Sequence, residues 1–302
     1  MVNKLLVGSV YASSSKQQQE WLQLQTAYLQ STTKNFDHVV FVNSTDISAF
    51  DDKVKIIGTL SDDPLHMHDS SVHLNGLIGL QSYFRSVQNE YDNFLFLDSD
   101  AFPIRKNWES LLAEKMVGRC CPASQVKEIA VVVRPELCEF RWHVSVLFAT
   151  KVGLNNLEFR FSKMNYLEAL GKDFLGHSEH DIHINYQEAS LRDKVLPLMR
   201  TNQYNLHFVA CGVYYDMFYH HAFGTERGQK QLRPDKYRLT PHDSLRHGGK
   251  YGYGDFYTDP AYPYKEFYAS LMANPSSFIN KLAGWSQSEY PEVGCNLNKC
   301  GI

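Results

Sequence analysis

The feature that most limits what this chain can fold into is the run Phe94-Leu95-Phe96-Leu97, four consecutive apolar residues that end abruptly in Asp98-Ser99-Asp100. A strand exposed on one face alternates apolar and polar residues. An unbroken apolar run of this kind reads instead as a strand buried on both faces, the usual state inside a parallel sheet covered by helices. The two carboxylates then lie where the chain leaves that strand. In open α/β sheets, ligands bind at the carboxyl ends of the strands.

The residues before this run fit such a sheet. Residues 5–11 form an apolar stretch ending in Ala12-Ser13-Ser14-Ser15, and over 16–30 the residues Trp21, Leu22, Leu24, Tyr28 and Leu29 recur at helical spacing. His38-Val39-Val40-Phe41-Val42 reads as a second strand, closed by Asn43-Ser44-Thr45-Asp46, and 54–57 as a third. Over 74–87, Leu74, Leu77, Ile78, Leu80, Tyr83, Phe84 and Val87 mark an amphipathic helix. Strands alternating with helices predict an α/β fold: a Rossmann-type, mostly parallel central sheet flanked by helices. Further on, the pattern predicts a helix at 108–116, strands at 129–133 and 142–149, a helix from 155 to about 170, and one strand over 210–219. From Gly224 onward Gly, Pro, Tyr and charged residues dominate without period. The expected organisation is therefore one domain over 1–224 and an irregular C-terminal extension, 225–302, packed on the same domain.

With 302 residues, 43% of them hydrophobic, the chain can bury a full core unaided. Lys and Arg number 30 against 33 Asp and Glu, a net charge of -3, which lacks the basic footprint of a nucleic-acid binder. The apolar start is too short for a signal peptide, and no run of about eighteen apolar residues offers a transmembrane segment. The vicinal Cys120-Cys121 and the scattered Cys138, Cys211, Cys295 and Cys300 form no disulfide framework. These features predict a reduced, cytoplasmic protein, with a peripheral place at a membrane surface left open, in which the sequon Asn43-Ser44-Thr45 is idle.

An Asp-x-Asp tripeptide can end a strand simply as turn chemistry. At the end of a buried strand, however, two carboxylates attract a hard divalent cation, Mg²⁺ or Mn²⁺, whose coordination is usually completed by substrate phosphates. A diphosphate is the natural guest.

The segment Phe94-Leu95-Phe96-Leu97-Asp98-Ser99-Asp100-Ala101-Phe102-Pro103-Ile104 resembles the DxD segment of GT-A-fold glycosyltransferases, which use nucleotide-sugar donors with a divalent metal. The resemblance implies a GT-A-like fold, a UDP- or GDP-linked sugar donor, and a glycan, lipid-linked sugar or protein acceptor. It implies that Asp100 ligates the metal while Asp98 contacts ribose or metal, with Ser99 between them. Tyr11, Ala12, Ser13 and the strand end at Asp46 would frame the nucleotide, and His73 and Asn75 would face ribose or diphosphate. In that family a late histidine just after a strand, often followed by a glycine, closes the metal shell. Within His220-His221-Ala222-Phe223-Gly224 this points to His221 ahead of His220, because Gly224 permits the close turn.

The run Gly176-His177-Ser178-Glu179-His180-Asp181-Ile182-His183 lies where inverting members of that family place the carboxylate that deprotonates the acceptor. Asp181 is the first candidate for this base and Glu179 the second. A separate metal site through His177, Glu179, His180 and His183 has no standard zinc spacing, and a solvated helix cap is the plain alternative. Weaker features are Trp142-His143, which could line an acceptor cleft or sit in the core, and the aromatic tail Tyr251-Gly252-Tyr253-Gly254-Asp255-Phe256-Tyr257, whose rings suit sugars but also suit packing.

Three rival functions use the same residues. Haloacid-dehalogenase-like phosphohydrolases also carry DxD after an apolar strand, and Gly254-Asp255-Phe256-Tyr257-Thr258-Asp259 has the spacing of their second acidic motif, but Ala101-Phe102 departs from their pattern. A non-catalytic nucleotide-sugar or glycan-binding module would lack the base that Asp181 or Glu179 supplies. Nucleotidylyltransferases want a Gly-rich basic loop where this chain has Ala12-Ser13-Ser14-Ser15-Lys16.

Overall fold

Buried on both faces, the Phe94–Leu97 run becomes the middle strand of a seven-stranded sheet. The computed structural model describes residues 4–11, 16–42, 55–59, 69–117, 126–134, 141–161, 182–187, 189–202, 211–221 and 264–283. In chain order the elements that build the sheet and its cover are β1 (Leu5–Tyr11), α1 (Lys16–Thr32), β2 (Phe36–Val42), β3 (Lys55–Thr59), α2 (Asp69–Ser86), β4 (Asn93–Asp98), β5 (Ala101–Pro103), α3 (Trp108–Met116), β6 (Ile129–Arg134), β7 (Arg141–Thr150), α4 (Lys151–Asn156), β8 (Phe159–Phe161), β9 (Ile182–Ile184), α5 (Ala189–Arg192), β10 (Val195–Leu198), β11 (Cys211–Tyr214), β12 (Phe218–His221), α6 (Tyr264–Ala273) and α7 (Pro275–Ala283).

The strand order of the large sheet is β10-β6-β7-β4-β1-β2-β3. β7 pairs antiparallel with both β4 and β6, and every other neighbouring pair is parallel. The sheet is thus mostly parallel and flanked by helices, as expected. From β1 the chain moves outward to β2 and β3, then crosses back to place β4 on the other side of β1. The order reverses between β1 and β4, and in open α/β sheets that switch point opens the crevice where ligands bind.

Alternation along β4 divides the core. Phe94 and Phe96 face α2, meeting Leu6, Leu77, Leu80 and Phe84, while Leu95 and Leu97 face the other way, among Leu29, Trp108 and Leu112. All four are fully buried, each contributing about 1.5–3 kcal/mol. Among the described residues no helix is long and apolar enough to cross a membrane, and Cys211 is a free, buried thiol.

Three sequence expectations need correction. The helix expected from 155 begins earlier and stops at once: the Thr150 hydroxyl accepts a hydrogen bond from the Gly153 N–H at 3.1 Å, and α4 ends at Asn156, before Leu157, whose backbone is extended and leads into β8; residues 162–170 of the expected helix lie outside the described residues. Leu154, Leu157 and Phe159 are all buried, so one apolar series serves a helix and then a strand. The single strand expected over 210–219 is a hairpin, β11 and β12, because Tyr215 and Asp216 turn the chain with φ of 55° and 53°. Their amides are held from outside the hairpin, Tyr215 N–H by the Met199 carbonyl at 2.9 Å and Asp216 N–H by the Thr201 hydroxyl at 3.1 Å. Finally, the extension contains two helices. Asn274 caps α7, accepting from the Ser277 N–H at 3.1 Å, with Pro275 at the first helical position, where its missing N–H costs nothing. Leu271, Ile279 and Leu282 of these helices are buried against Tyr11, Trp21 and Val213.

α2 comes unusually close to β1 at Gly76, where a Cβ would lie 2.6 Å from Val10 Cγ1. Valine's branched side chain cannot swing clear. Gly76→Ala gains helix propensity, up to about 1 kcal/mol, yet overpacks a buried contact at a cost of about 1–3 kcal/mol. We expect a net loss of stability, read as a lower urea midpoint with an unchanged m-value. A midpoint at or above that of the parent chain would show that α2 is free to move.

Candidate metal centre

Asp98 is the last residue of β4 and shares a face with Phe94 and Phe96, which puts its carboxylate under the start of α2. There His73 brings Nε2 to 2.8 Å from Asp98 Oδ1. The close approach at Gly76, one turn further along the helix, is what allows this. After Asp98 the chain turns through Ser99 and Asp100 into β5, which pairs antiparallel with β12 so that His220 lies opposite Ala101. His220 Nε2 is 3.5 Å from Asp100 Oδ1 and 3.9 Å from Asp98 Oδ2. One ligand atom from each of Asp98, Asp100 and His220 lies within 4.8 Å of the others.

All three residues are buried, the two aspartates at 6% exposure and His220 at 1%. Two carboxylates so close and so far from water repel one another, and burial penalises each charge. A divalent cation offsets both costs. The donor set, two hard oxygens and an imidazole nitrogen, suits Mn²⁺ or Mg²⁺, and the 3.5 and 3.9 Å from His220 Nε2 to the two carboxylates fall inside the roughly 4.2 Å that two ligands about 2.1 Å from one ion can span. The residues fit the group.

The sequence favoured His221 over its neighbour, and the structure reverses that choice. Adjacent residues of a strand point to opposite faces, and it is His220 that turns to the aspartates. The His221 backbone N–H donates to the Asp100 carbonyl at 3.0 Å, while its ring faces away. There Nδ1 shares a hydrogen bond with the Tyr219 hydroxyl at 2.6 Å, Cys211 Sγ lies 3.7 Å off, and the rings of Trp21 and Tyr268 pack at 5.3 and 6.3 Å. Burial, and then the neighbouring His220, push the His221 imidazole down to about 3, so it is a neutral packing residue. The same burial raises the Cys211 thiol to about 12.

Of the other expected site residues, Tyr11 ends β1 beside β4. Its side chain is fully buried, and burial together with the Asp100 charge holds its hydroxyl well above the usual phenol range. Ser99 is buried between the aspartates, and Asn75 is exposed on α2. Ala12, Ser13, Asp46, His177, Glu179, His180 and Asp181 lie outside the described residues, as do the aromatic tail over 251–257 and the Gly254–Asp259 segment. His183 belongs to β9, and Trp142 and His143 to β7.

The sequence reading passed over Gln25. It lies on the buried stripe of α1 with Gln18, Trp21, Leu22, Leu29 and Thr32, and its side chain reaches the turn after β4. The available signal was a polar residue three and four positions beyond Leu22 and Trp21 and four before Leu29, on what must be the buried face.

No protein-family model matches the chain, and no curated protein does. Among solved structures the chain is similar to a glycosyltransferase involved in the glycosylation of the major capsid of PBCV-1, at 13% identity and a TM-score of 0.31, over 51% of this chain and 62% of that one. It is similar also to an active-site mutant of LgtC, at 11% identity and a TM-score of 0.31, over 50% of this chain and 58% of that one. The match thus spans about three fifths of the length of either structure.

Proposed function

We propose that this chain is a metal-dependent glycosyltransferase that moves a sugar from a UDP- or GDP-linked donor to a hydroxyl of a glycan, lipid-linked sugar or protein. The observation that carries the proposal is the buried Asp98, Asp100 and His220 cluster, at the carboxyl end of β4 and beside the point where the sheet order reverses.

Asp98, Asp100 and His220 would hold Mn²⁺ or Mg²⁺, which when bound supplies charge neutralisation to the leaving nucleoside diphosphate. His73 fixes Asp98 Oδ1 and so leaves Oδ2 directed toward His220. Asp181, with Glu179 as the alternative, takes the proton from the acceptor hydroxyl, which makes the transfer an inverting displacement. Ala12, Ser13, Asp46 and Asn75 would frame the nucleotide around the same strand ends, with Tyr11, fully buried and hydrogen-bonded to Gln25, supporting them from within the core.

The first test is metal-dependent donor binding. Even an indirect partner of a metal ligand typically costs 10–100-fold in affinity, so Asp100→Ala should weaken Mn²⁺ by more than about 100-fold and abolish Mn²⁺-dependent nucleotide binding. His220→Ala should lose most Mn²⁺ affinity as well. His221→Phe should bind Mn²⁺ nearly as well as the parent chain but unfold at a lower temperature. Calorimetry beside thermal unfolding reads all three, and retained Mn²⁺-dependent binding in Asp100→Ala would overturn the site.

The second test separates a transferase from a binding module. A general base contributes roughly 10²–10⁴-fold to rate and little to donor affinity. Asp181→Asn should therefore keep donor binding and lose most sugar transfer, measured together with slow donor hydrolysis. Donor binding with neither transfer nor hydrolysis in the parent chain would indicate a binding module, and release of phosphate from a simple phosphoester would indicate a phosphohydrolase. Inactive Glu179→Gln beside active Asp181→Asn would move the base two residues upstream.

A further inference from the structure

Gln25 is fully buried in α1, one helix away from the strand that carries the aspartates, and its side-chain amide is saturated with hydrogen bonds. Nε2 donates to the Asp98 carbonyl at 2.9 Å and to the Ala101 carbonyl at 2.7 Å. Oε1 accepts from the Ser9 hydroxyl at 2.8 Å and from the Tyr11 hydroxyl at 2.9 Å. The orientation of the amide is forced. Backbone carbonyls only accept, so the NH₂ must face the turn, and the hydroxyls of β1 are left to donate to the oxygen.

The two carbonyls that Gln25 grips bracket the turn on which Asp98, Ser99 and Asp100 sit. The Asp100 carbonyl between them is taken by the His221 N–H at 3.0 Å. Three carbonyls of a four-residue turn are therefore held from two sides, by α1 and by β12. Ser9 extends the chain of contacts outward, since its Oγ lies 3.0 Å from His38 Nε2 on β2. Burial presses the His38 imidazole down to about 4, so that ring is neutral. No other described side chain reaches both ends of the turn.

We propose that Gln25 is a positioning residue for the metal centre: by holding the Asp98 and Ala101 carbonyls with one amide, it fixes the spacing at which the Asp98 and Asp100 carboxylates meet His220. The inference rests on the reading of that cluster as a metal site. Gln25 touches neither carboxylate. It acts through the backbone, and the effect of losing it should appear in metal affinity beyond what lost stability explains.

The test uses Mn²⁺ alone as the probe, with the free ion counted by electron paramagnetic resonance and the fold followed by circular dichroism and thermal unfolding. Gln25→Met keeps the length of the side chain but offers no donor, and should weaken Mn²⁺ by about 10–100-fold, the range seen for indirect partners of metal ligands. Leu29→Ala, on the same helix and buried in an apolar cluster but with a side chain that can make no hydrogen bond to the turn, serves as the control. It should lower the unfolding temperature and leave Mn²⁺ affinity unchanged. Should Gln25→Met fail to fold, Ser9→Ala takes its place: it removes one of the two donors that orient the amide, and should weaken Mn²⁺ in the same direction to a smaller extent. Mn²⁺ affinity that falls in step with unfolding temperature across Leu29→Ala and the Gln25 or Ser9 variants alike would overturn the proposal. So would parental affinity in both Gln25→Met and Ser9→Ala while Asp100→Ala has lost it, which leaves the metal site standing. No Mn²⁺ binding by the parent chain would instead overturn the metal reading itself.

Discussion

Two carboxylates held below the surface, with an imidazole as their close neighbour, set the terms for everything around them. Each has lost most of its water and each raises the cost of ionising the other, so the arrangement is unfavourable unless something positive arrives or polar groups surround it. A site of this kind persists only where the surrounding fold supplies enough stability to hold it. Here that supply comes from β4 itself, whose four apolar residues are fully buried against both helical layers immediately before the chain emerges as Asp98. Burial of the strand and the placing of both carboxylates at its end are consequences of the same sequence run.

Holding the end of a strand in place takes more than the strand. From above, α2 approaches β1 closely enough at Gly76 to bring His73 against Asp98. From the side, α1 grips the turn through Gln25, and from beyond the turn β12 pairs with β5 and donates one backbone N–H to Asp100. Each of these contacts uses a local property of the sequence: a residue without a Cβ, a neutral amide with two donors and two acceptor positions, and a β-pairing that fixes which of two histidines turns inward.

Much of this was legible in the chain and some was not, for identifiable reasons. β4 and its aspartates were plain because an uninterrupted apolar run followed by charge has few other readings. α3 was found at its observed bounds because Trp108, Leu112 and Met116 repeat at four-residue spacing and nothing competes. The choice between His220 and His221 was not legible, since parity along β12 depends on its register with β5, and that register is a matter of tertiary pairing. The hairpin at Tyr215 and Asp216 was hidden because its turn carries no glycine; amide contacts from Met199 and Thr201, both remote in sequence, stabilise the positive φ values. Gln25 was overlooked because composition counts glutamine as a surface residue, whereas the stripe it shares with Trp21 and Leu29 places it inside.

The C-terminal helices show why an apparently featureless tail can matter to a site distant in sequence. Leu271 of α6 and Ile279 and Leu282 of α7 are buried with Trp21, Val213 and Tyr219, on the side of β12 away from the aspartates. Tyr268 adds a ring 5.5 Å from Trp21, and its hydroxyl donates to Glu20 on α1 at 2.6 Å. β12 is thereby caught between two environments. One face of it delivers His220 to the carboxylates, and the other is packed through Tyr219 and His221 against α1 and α6. Because neighbouring residues of a strand must diverge, the apolar packing of His221 is what directs His220 toward the charge. The same helix, α1, supports both faces: Trp21 packs behind His221 with its ring tilted by 50°, and Gln25, one turn further on, holds the turn from which Asp98 and Asp100 project.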